Sequence, residues 1–242
     1  MARKKTAGPV GYSPIGSIVF LLAVYIGALT ALNMNAIASV RVSPTHAASS
    51  YRTKRGKLPS DVNDVRSLQS IEDFVEVFYA AVGDDGDPRV LPSGTYVGEP
   101  LPIGLSRFAG SAQICRYLMG GSGGAWAGKW FGGADAPTEG GNMFAPRSGN
   151  DDCGEARRGD WSTFLVRRAH ASALDGRPAV QLDYAASPHA PSRWPWPTWP
   201  DAVFQFMRDE VRCLHADLCV GFGGFTFTGG VANGSPFVLY RG

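Results

Sequence analysis

The chain has few charged residues for its length and no strong excess of either sign. Only 18% of its 242 residues are charged, and the formal net charge is +2. Residues 1–50 hold four basic residues and no acid, so the remainder carries 19 basic and 21 acidic residues. A body with a net charge of −2 lacks the basic surface that nucleic-acid binding requires. We therefore expect no nucleic-acid partner.

The N-terminal part has no acidic residue before Asp61 and no charge of either sign from Thr6 to Val40. Inside that span, Ile15–Leu32 is an almost continuous apolar run, about long enough to cross a bilayer as a helix. Basic residues precede the run, so it is either an uncleaved signal anchor or a signal peptide cleaved after Ala38. As an anchor, it would place the body on the non-cytoplasmic side of a membrane.

Amphipathic helical patterning is scarce in the rest of the chain. One stretch, residues 67–82, predicts a helix whose apolar residues share one face, with Ser70 as its N-cap. Those apolar residues are Ile71, Phe74, Val75, Phe78 and Val82.

The chain instead has 31 Gly and 17 Pro, which punctuate short β-like runs. The candidate strands are Gln113–Met119, Trp126–Phe131, Thr163–Ala169, Ala179–Tyr184, Val203–Cys213, Cys219–Phe222, Phe225–Thr228 and Phe237–Arg241. Short strands without intervening helices predict a mainly β fold, an antiparallel barrel preceded by the amphipathic helix and the N-terminal hydrophobic helix.

These features divide the chain into three segments. Residues 1–38 are the signal anchor or signal peptide, and residues 61–242 are the helix and barrel domain. Residues 39–60 are basic and rich in Ser and Thr, as in a flexible linker or an organelle transit segment. A signal sequence followed by such a segment resembles the two-part presequences of algae with complex plastids. We expect a single-pass membrane protein, or a secreted or plastid-targeted one if the presequence is cleaved.

Complete catalytic and metal-binding motifs are also lacking. A glycine-rich segment with P-loop spacing has Trp130 where a magnesium-binding hydroxyl is needed. A G-x-S-x-G motif around Ser122 is not followed by the required helix. Cys213, His215 and Cys219 supply three zinc ligands rather than four, so a turn between two strands is the better interpretation. We predict no catalytic residue, no metal site and no cofactor, and we favour a non-enzymatic function.

Cysteine is scarce, but its count is even. Four cysteines in a chain that leaves the cytosol permit disulfides, and they allow three pairings. A bond between Cys115 and Cys153 would hold the glycine-rich loop in place, and buried free thiols are an equal alternative.

One block, residues 124–131, reads G-x-W-x-G-K-x-F. It resembles the signature of the GXWXG family of small β-barrel domains and the G-x-W of the first strand of lipocalins and other calycins. The similarity extends in order over residues 91–241 and implies a calycin-like barrel. Glycines beside Trp126 allow a sharp bend, so the indole is expected to plug the closed end of the barrel. The resemblance further implies that Arg241 packs across that indole.

Further candidate residues follow from strand and loop patterning. Asp209 shares a strand face with Met207 and Val211. If that face is interior, Asp209 is a buried acid that either pairs with an Arg or acts in proton transfer. Three Trp separated by Pro predict a stiff loop that borders a barrel mouth or a membrane. The candidate ligand-binding residues are Trp126, Trp194, Trp196, Trp199, Phe206 and Asp209.

Three functions fit this pattern. The first is a membrane-tethered or exported barrel that binds a small apolar ligand such as a lipid, pigment or isoprenoid. The second is an accessory subunit of a membrane complex, for example one in an organelle. Its partners would be the membrane and the other subunits. The third is an enzyme that uses Asp209 or a His in a barrel pocket. A connected cavity of at least ~300 Å³ would favour the first.

Overall fold

A computed structural model describes residues 56–82, 91–103, 126–133, 136–145, 157–187 and 204–241, with ten further residues between positions 24 and 38. Its main feature is a closed antiparallel barrel in which each strand pairs with the next and the last pairs with the first. The strands are β1 (Gly94–Pro100), β2 (Trp126–Gly132), β3 (Glu139–Phe144), β4 (Arg157–Ala171), β5 (Pro178–Asp183), β6 (Met207–His215), β7 (Leu218–Phe225) and β8 (Ser235–Tyr240). The predicted mainly β, antiparallel barrel is confirmed.

Individual strands depart from the sequence prediction. The barrel begins with β1, before the predicted start at Gln113, and β1 and β3 were missed. Both contain glycine, and β1 also ends at Pro100, a composition with low strand propensity. The runs Cys219–Phe222 and Phe225–Thr228 were predicted as separate strands. They form the single strand β7 followed by a 3₁₀ turn. The predicted strand Gln113–Met119 lies outside the described residues.

Within residues 56–82, two helices precede the barrel, α1 (Val62–Arg66) and α2 (Ile71–Ala80). The predicted N-cap of α2 is confirmed, because the Ser70 hydroxyl accepts a hydrogen bond from the Asp73 amide. The apolar face of α2 packs on the outside of β7, where the rings of Phe74 and Phe78 lie 5.0 and 5.4 Å from that of Phe222. A second cluster, with Tyr96, Phe164 and Val211 among its members, fills the barrel interior.

The two ends of the barrel differ in their connections. At the hairpin end, β2–β3, β4–β5 and β6–β7 are joined by the short segments 133–138, 172–177 and 216–217. At the long-connection end, the strands are joined by residues 101–125, 145–156, 184–206 and 226–234. In β-barrels, ligand sites and functional loops gather at the mouth formed by such connections.

The strand ladder β6–β7 carries a disulfide between Cys213 and Cys219. Both residues are buried, and the bond excludes a zinc site made of these sulfurs with His215. The preferred interpretation, a turn between two strands, is confirmed. The suggested pair of Cys115 and Cys153 lies outside the described residues.

The predicted hydrophobic helix Ile15–Leu32 falls mostly outside the described residues and stays a prediction. Among the residues described, no helix is both long enough and apolar enough to span a bilayer.

Candidate functional site

The site begins with an irregularity in β2. A β-bulge between Trp126 and Gly128 shifts the register against β3, so that Trp126 and Lys129 both face the interior although they are three residues apart. Strict alternation would have placed them on opposite faces. Gly128 is required here: its φ is +141°, and a Cβ would lie 2.0 Å from the carbonyl oxygen of Tyr96.

Trp126 lies at the long-connection end and is half-buried. Its indole covers Gly98, where a Cβ would come within 2.5 Å of the ring, and meets the ring of Phe237 edge-on at 5.8 Å. The indole N–H donates a hydrogen bond to Oδ1 of Asn142 at 3.1 Å. The missing side chain at Gly98 therefore makes the space that this indole occupies.

The predicted contact between Arg241 and Trp126 is wrong. Arg241 follows β8 at the hairpin end, where its guanidinium lies 4.6 Å from the ring centre of Tyr96. Tyr96 is buried, and its hydroxyl donates to the carbonyl of Ala216 at 2.9 Å. Burial raises the pKa of Tyr96 to about 12. Tyr96 rather than Trp126 thus lies against Arg241 at the hairpin end.

The buried ammonium of Lys129 is the centre of a polar network inside the barrel. Its Nζ lies 2.7 Å from Asn142 Oδ1, 2.7 Å from Tyr184 OH and 2.9 Å from Asp209 Oδ2. An ammonium has three N–H donors, and these three acceptors match them. The side chains of Lys129 and Asp209 are each only 1% exposed, so the ion pair is buried.

Four aromatic rings surround the same ammonium. Nζ of Lys129 lies 5.2–5.5 Å from the ring centres of Trp126, Phe164, Tyr184 and Phe237. At these distances the faces of Trp126, Phe164 and Phe237 attract a cation, whereas Tyr184 contacts the ammonium through its hydroxyl. The charge is therefore stabilised from several sides without solvent.

The two carboxylate oxygens of Asp209 have different surroundings. Oδ2 accepts hydrogen bonds from Lys129 and, at 3.0 Å, from the Tyr184 hydroxyl. Oδ1 is buried and accepts no hydrogen bond within the described part of the chain. The expectation that Asp209 is an interior acid with a cationic partner is therefore confirmed, but the partner is Lys129 and not an arginine. A Cβ at Gly223 would lie 2.8 Å from Oδ1, so this oxygen faces the space that Gly223 leaves open.

That space is a small pocket at the long-connection end, with a volume of about 40 Å³. This is room for about three water-sized groups, far below the ~300 Å³ of a site that encloses a drug-sized molecule. The connected cavity that would favour an apolar-ligand barrel is therefore not found among the described residues. The pocket is half-open and almost entirely apolar, with Lys129 and Asp209 as its charged residues. It is lined by Pro100, Trp126, Lys129, Met207, Asp209, Gly223, Ser235 and Phe237.

The structure unites two of the six candidate ligand-binding residues, Trp126 and Asp209, in this pocket. Phe206 does not line it; its ring is 45% exposed and packs edge-on against that of Phe227 at 5.9 Å. Phe206 lies in the turn before β6, and Met207, the first residue of that strand, takes the inward position. Trp194, Trp196 and Trp199 lie outside the described residues.

Lys129, Asn142 and Tyr184 were missed as site residues. Lys129 stands in the G-K of the block that carries the family resemblance, which was a usable signal. Asn142 lies in the glycine-rich strand β3, and Tyr184 follows β5, so neither carried a recognisable pattern.

Comparison with protein-family models gave no match, and comparison with curated proteins gave none either. Among solved structures, the chain is similar to a crystal structure of a protein from Thermomonospora curvata, with 14% identity and a TM-score of 0.40. The match covers 80% of this chain and 95% of that chain. Similarity at this level carries no argument about ligand or activity. The closed antiparallel barrel fits a calycin-like fold, while no family match supports GXWXG or lipocalin membership.

Proposed function

We propose that the barrel binds a small, mainly apolar ligand at its long-connection end. The observation that carries this proposal is the pocket, whose apolar walls end on the buried pair Lys129–Asp209. Binding sites for small molecules combine such walls with a few placed polar groups that fix orientation. The pocket volume of about 40 Å³ holds only one end of a ligand, so the remainder extends through the opening.

The buried ion pair supports a binding role. Burying two charges costs more free energy than well-packed apolar side chains of the same volume, so such a pair adds little to stability by itself. Here the pair lies beside the pocket and leaves one acceptor unused. Four strand ends surround the pocket. Pro100 is the last residue of β1, and the first residues of β2, β6 and β8 are Trp126, Met207 and Ser235 in that order.

A substitution at the pocket mouth tests the proposal. Ser235 lines the pocket, and Ser235→Leu places an apolar side chain in it. Titration calorimetry with 1-octanol should show binding to the wild-type chain and at least ~10-fold weaker binding to this variant, because the cavity is filled.

The matched control is Ala216→Leu, which adds the same side chain to an exposed residue at the hairpin end. It should bind 1-octanol like the wild type. If the wild-type chain does not bind, or if both variants bind equally well, the pocket is not a ligand site.

The membrane and the subunits of a membrane complex are proposed as partners on separate grounds. The apolar run Ile15–Leu32 supports membrane attachment, and the Cys213–Cys219 disulfide supports a compartment outside the reducing cytosol. Removing residues 1–57 should move the chain from the membrane fraction to the supernatant. A truncated chain that still sediments with membranes in high salt would show a second attachment.

An accessory-subunit role has its own observation. Phe206 and Phe227 are 45% and 58% exposed and form one aromatic patch near the long-connection end. Exposed aromatic residues are enriched where proteins contact partners. If the pocket test fails, this patch is the better candidate for function, and cross-linking from Phe227 in intact membranes should then reveal a subunit.

A further inference from the structure

The polarity of the pocket floor depends on which hydrogen-bonding atoms are already in use. Lys129 directs its three N–H donors at Asn142, Tyr184 and Asp209. Tyr184 has one O–H donor, and the hydroxyl lies 3.0 Å from Asp209 Oδ2. The donors of this network are therefore directed away from the pocket.

One acceptor remains. Asp209 lines the pocket, and its Oδ1 is buried and accepts nothing within the described residues. An unmatched buried carboxylate oxygen is unfavourable, and a hydrogen bond to a charged acceptor is stronger than one to a neutral acceptor. Gly223 puts no side chain against Oδ1, where a Cβ would lie 2.8 Å from Oδ1 and 3.3 Å from Cε of Met207.

From this arrangement we infer that the ligand is a neutral hydrogen-bond donor, an apolar molecule ending in a hydroxyl group, which donates to Asp209 Oδ1. This inference rests on the proposed binding function and names the ligand class. The apolar lining formed by Pro100, Met207 and Phe237 receives the carbon chain beside the hydroxyl.

Charged ligands fit the floor less well. A carboxylate would meet the unpaired oxygen of Asp209, and the donors of Lys129 that could compensate are directed elsewhere. An ammonium at Oδ1 would lie close to the Lys129 cation in a site of low dielectric constant, where like charges repel strongly. A ketone oxygen can only accept hydrogen bonds, so it has no donor to offer to Asp209 Oδ1. The pair Lys129–Asp209 is neutral as a whole, which suits a neutral ligand.

The test uses four probes of equal chain length, 1-octanol, 2-octanone, octanoate and octylammonium, titrated calorimetrically into the full chain. We expect 1-octanol to bind at least ~10-fold more tightly than each of the others, the discrimination typical of one hydrogen bond to a charged acceptor. This comparison uses the wild-type protein, so it does not depend on the folding of a variant.

Asp209→Asn changes the hydrogen-bonding group at the pocket floor from an acceptor to a donor. The amide oxygen replaces Oδ2 toward Lys129 and Tyr184, so the NH₂ group takes the place of Oδ1 and faces the pocket as a donor. The preference for 1-octanol over 2-octanone should fall at least ~10-fold in this variant. The control is Asp217→Asn, an exposed carboxylate at the hairpin end and outside the pocket, which should leave the preference unchanged.

The outcomes separate the inference from the proposed function. Equal binding of 1-octanol and 2-octanone, or tightest binding of octanoate or octylammonium, overturns the donor inference while the pocket remains a binding site. No binding of any probe overturns the proposed function and the inference with it. A preference for 1-octanol that Asp209→Asn leaves unchanged would also overturn the assignment to Oδ1.

Discussion

Two buried ion pairs, one on each face of β6, show different uses of the same chemistry. On the outer face, Arg212 pairs with both oxygens of Asp175 at 2.7 and 2.8 Å. On the inner face, Lys129 pairs with one oxygen of Asp209 at 2.9 Å. All four side chains are at most 4% exposed. The outer pair is completely hydrogen-bonded, and the inner pair is not.

The outer pair joins three elements of the structure. Besides its bonds to Asp175, the Arg212 guanidinium donates to the carbonyls of Phe78, Arg177 and Pro178, so all five of its N–H donors are used. Phe78 lies in the last turn of α2, where carbonyls lack helical partners and a cation is favourable. This arrangement fixes α2 and the β4–β5 turn to the barrel. It leaves nothing for a ligand.

The inner pair has the opposite property. Its cation is satisfied, but Asp209 Oδ1 is left beside a pocket at the end of the barrel where the long connections lie. A buried polar group without a partner needs an explanation in a native structure. This difference agrees with the proposed binding role of the inner pair, whereas the contacts of the outer pair account for it without a ligand.

The same substitution at both sites gives the largest expected difference. In Asp175→Asn, one guanidinium N–H faces the new NH₂ group, because both oxygens of Asp175 accept bonds from Arg212. We expect a loss of about 3–5 kcal/mol in the free energy of unfolding, as for other broken buried pairs. Asp209→Asn loses charge but creates no contact between donors, so its loss should be smaller by about 1–3 kcal/mol. Urea unfolding of both variants measures the difference, and equal losses would contradict the distinction between the pairs.

A third ion pair, between exposed side chains, should contribute less to stability than either buried pair. Arg66 of α1 hydrogen-bonds to Glu99 of β1, and this bond lowers the pKa of the Glu99 carboxyl below its ordinary value of 4.5. A carboxyl group whose pKa is lower in the folded than in the unfolded chain stabilises the fold at pH values above its unfolded pKa. This stabilisation is lost as the pH falls through the folded pKa. The free energy of unfolding of the wild type should slightly exceed that of Glu99→Gln at pH 6, and the difference should shrink as the pH falls below 4.5. A difference that grows toward low pH would contradict this sign.

The sequence predicted the barrel because alternation and turn residues are local signals. It predicted α2 for the same reason, since the apolar face and the Ser70 cap are visible in a short window. It missed β3, in which Gly140, Gly141 and Asn142 have low strand propensity and register is fixed by neighbouring strands. Local pattern was enough where each residue's own preference agreed with the fold.

The site was only half predictable. The inward direction of Asp209 followed from alternation along β6, and Trp126 from the glycines around it. Lys129 could not be assigned, because only the bulge in β2 turns it to the same side as Trp126. The ion pair of Lys129 and Asp209 joins β2 and β6, which are not neighbours in the barrel. Closing of the barrel brings these two side chains together, and local sequence does not reveal it.

The most direct measurement is a crystal structure of the chain with bound 1-octanol. The account predicts the octanol oxygen at roughly 2.6–2.8 Å from Oδ1 of Asp209, a charge-assisted hydrogen bond, with the carbon chain between Met207 and Phe237. The contacts of Lys129 and of the Arg212–Asp175 pair should be unchanged. An octanol molecule elsewhere on the protein, or one whose hydroxyl bonds Lys129 instead of Asp209, would contradict it.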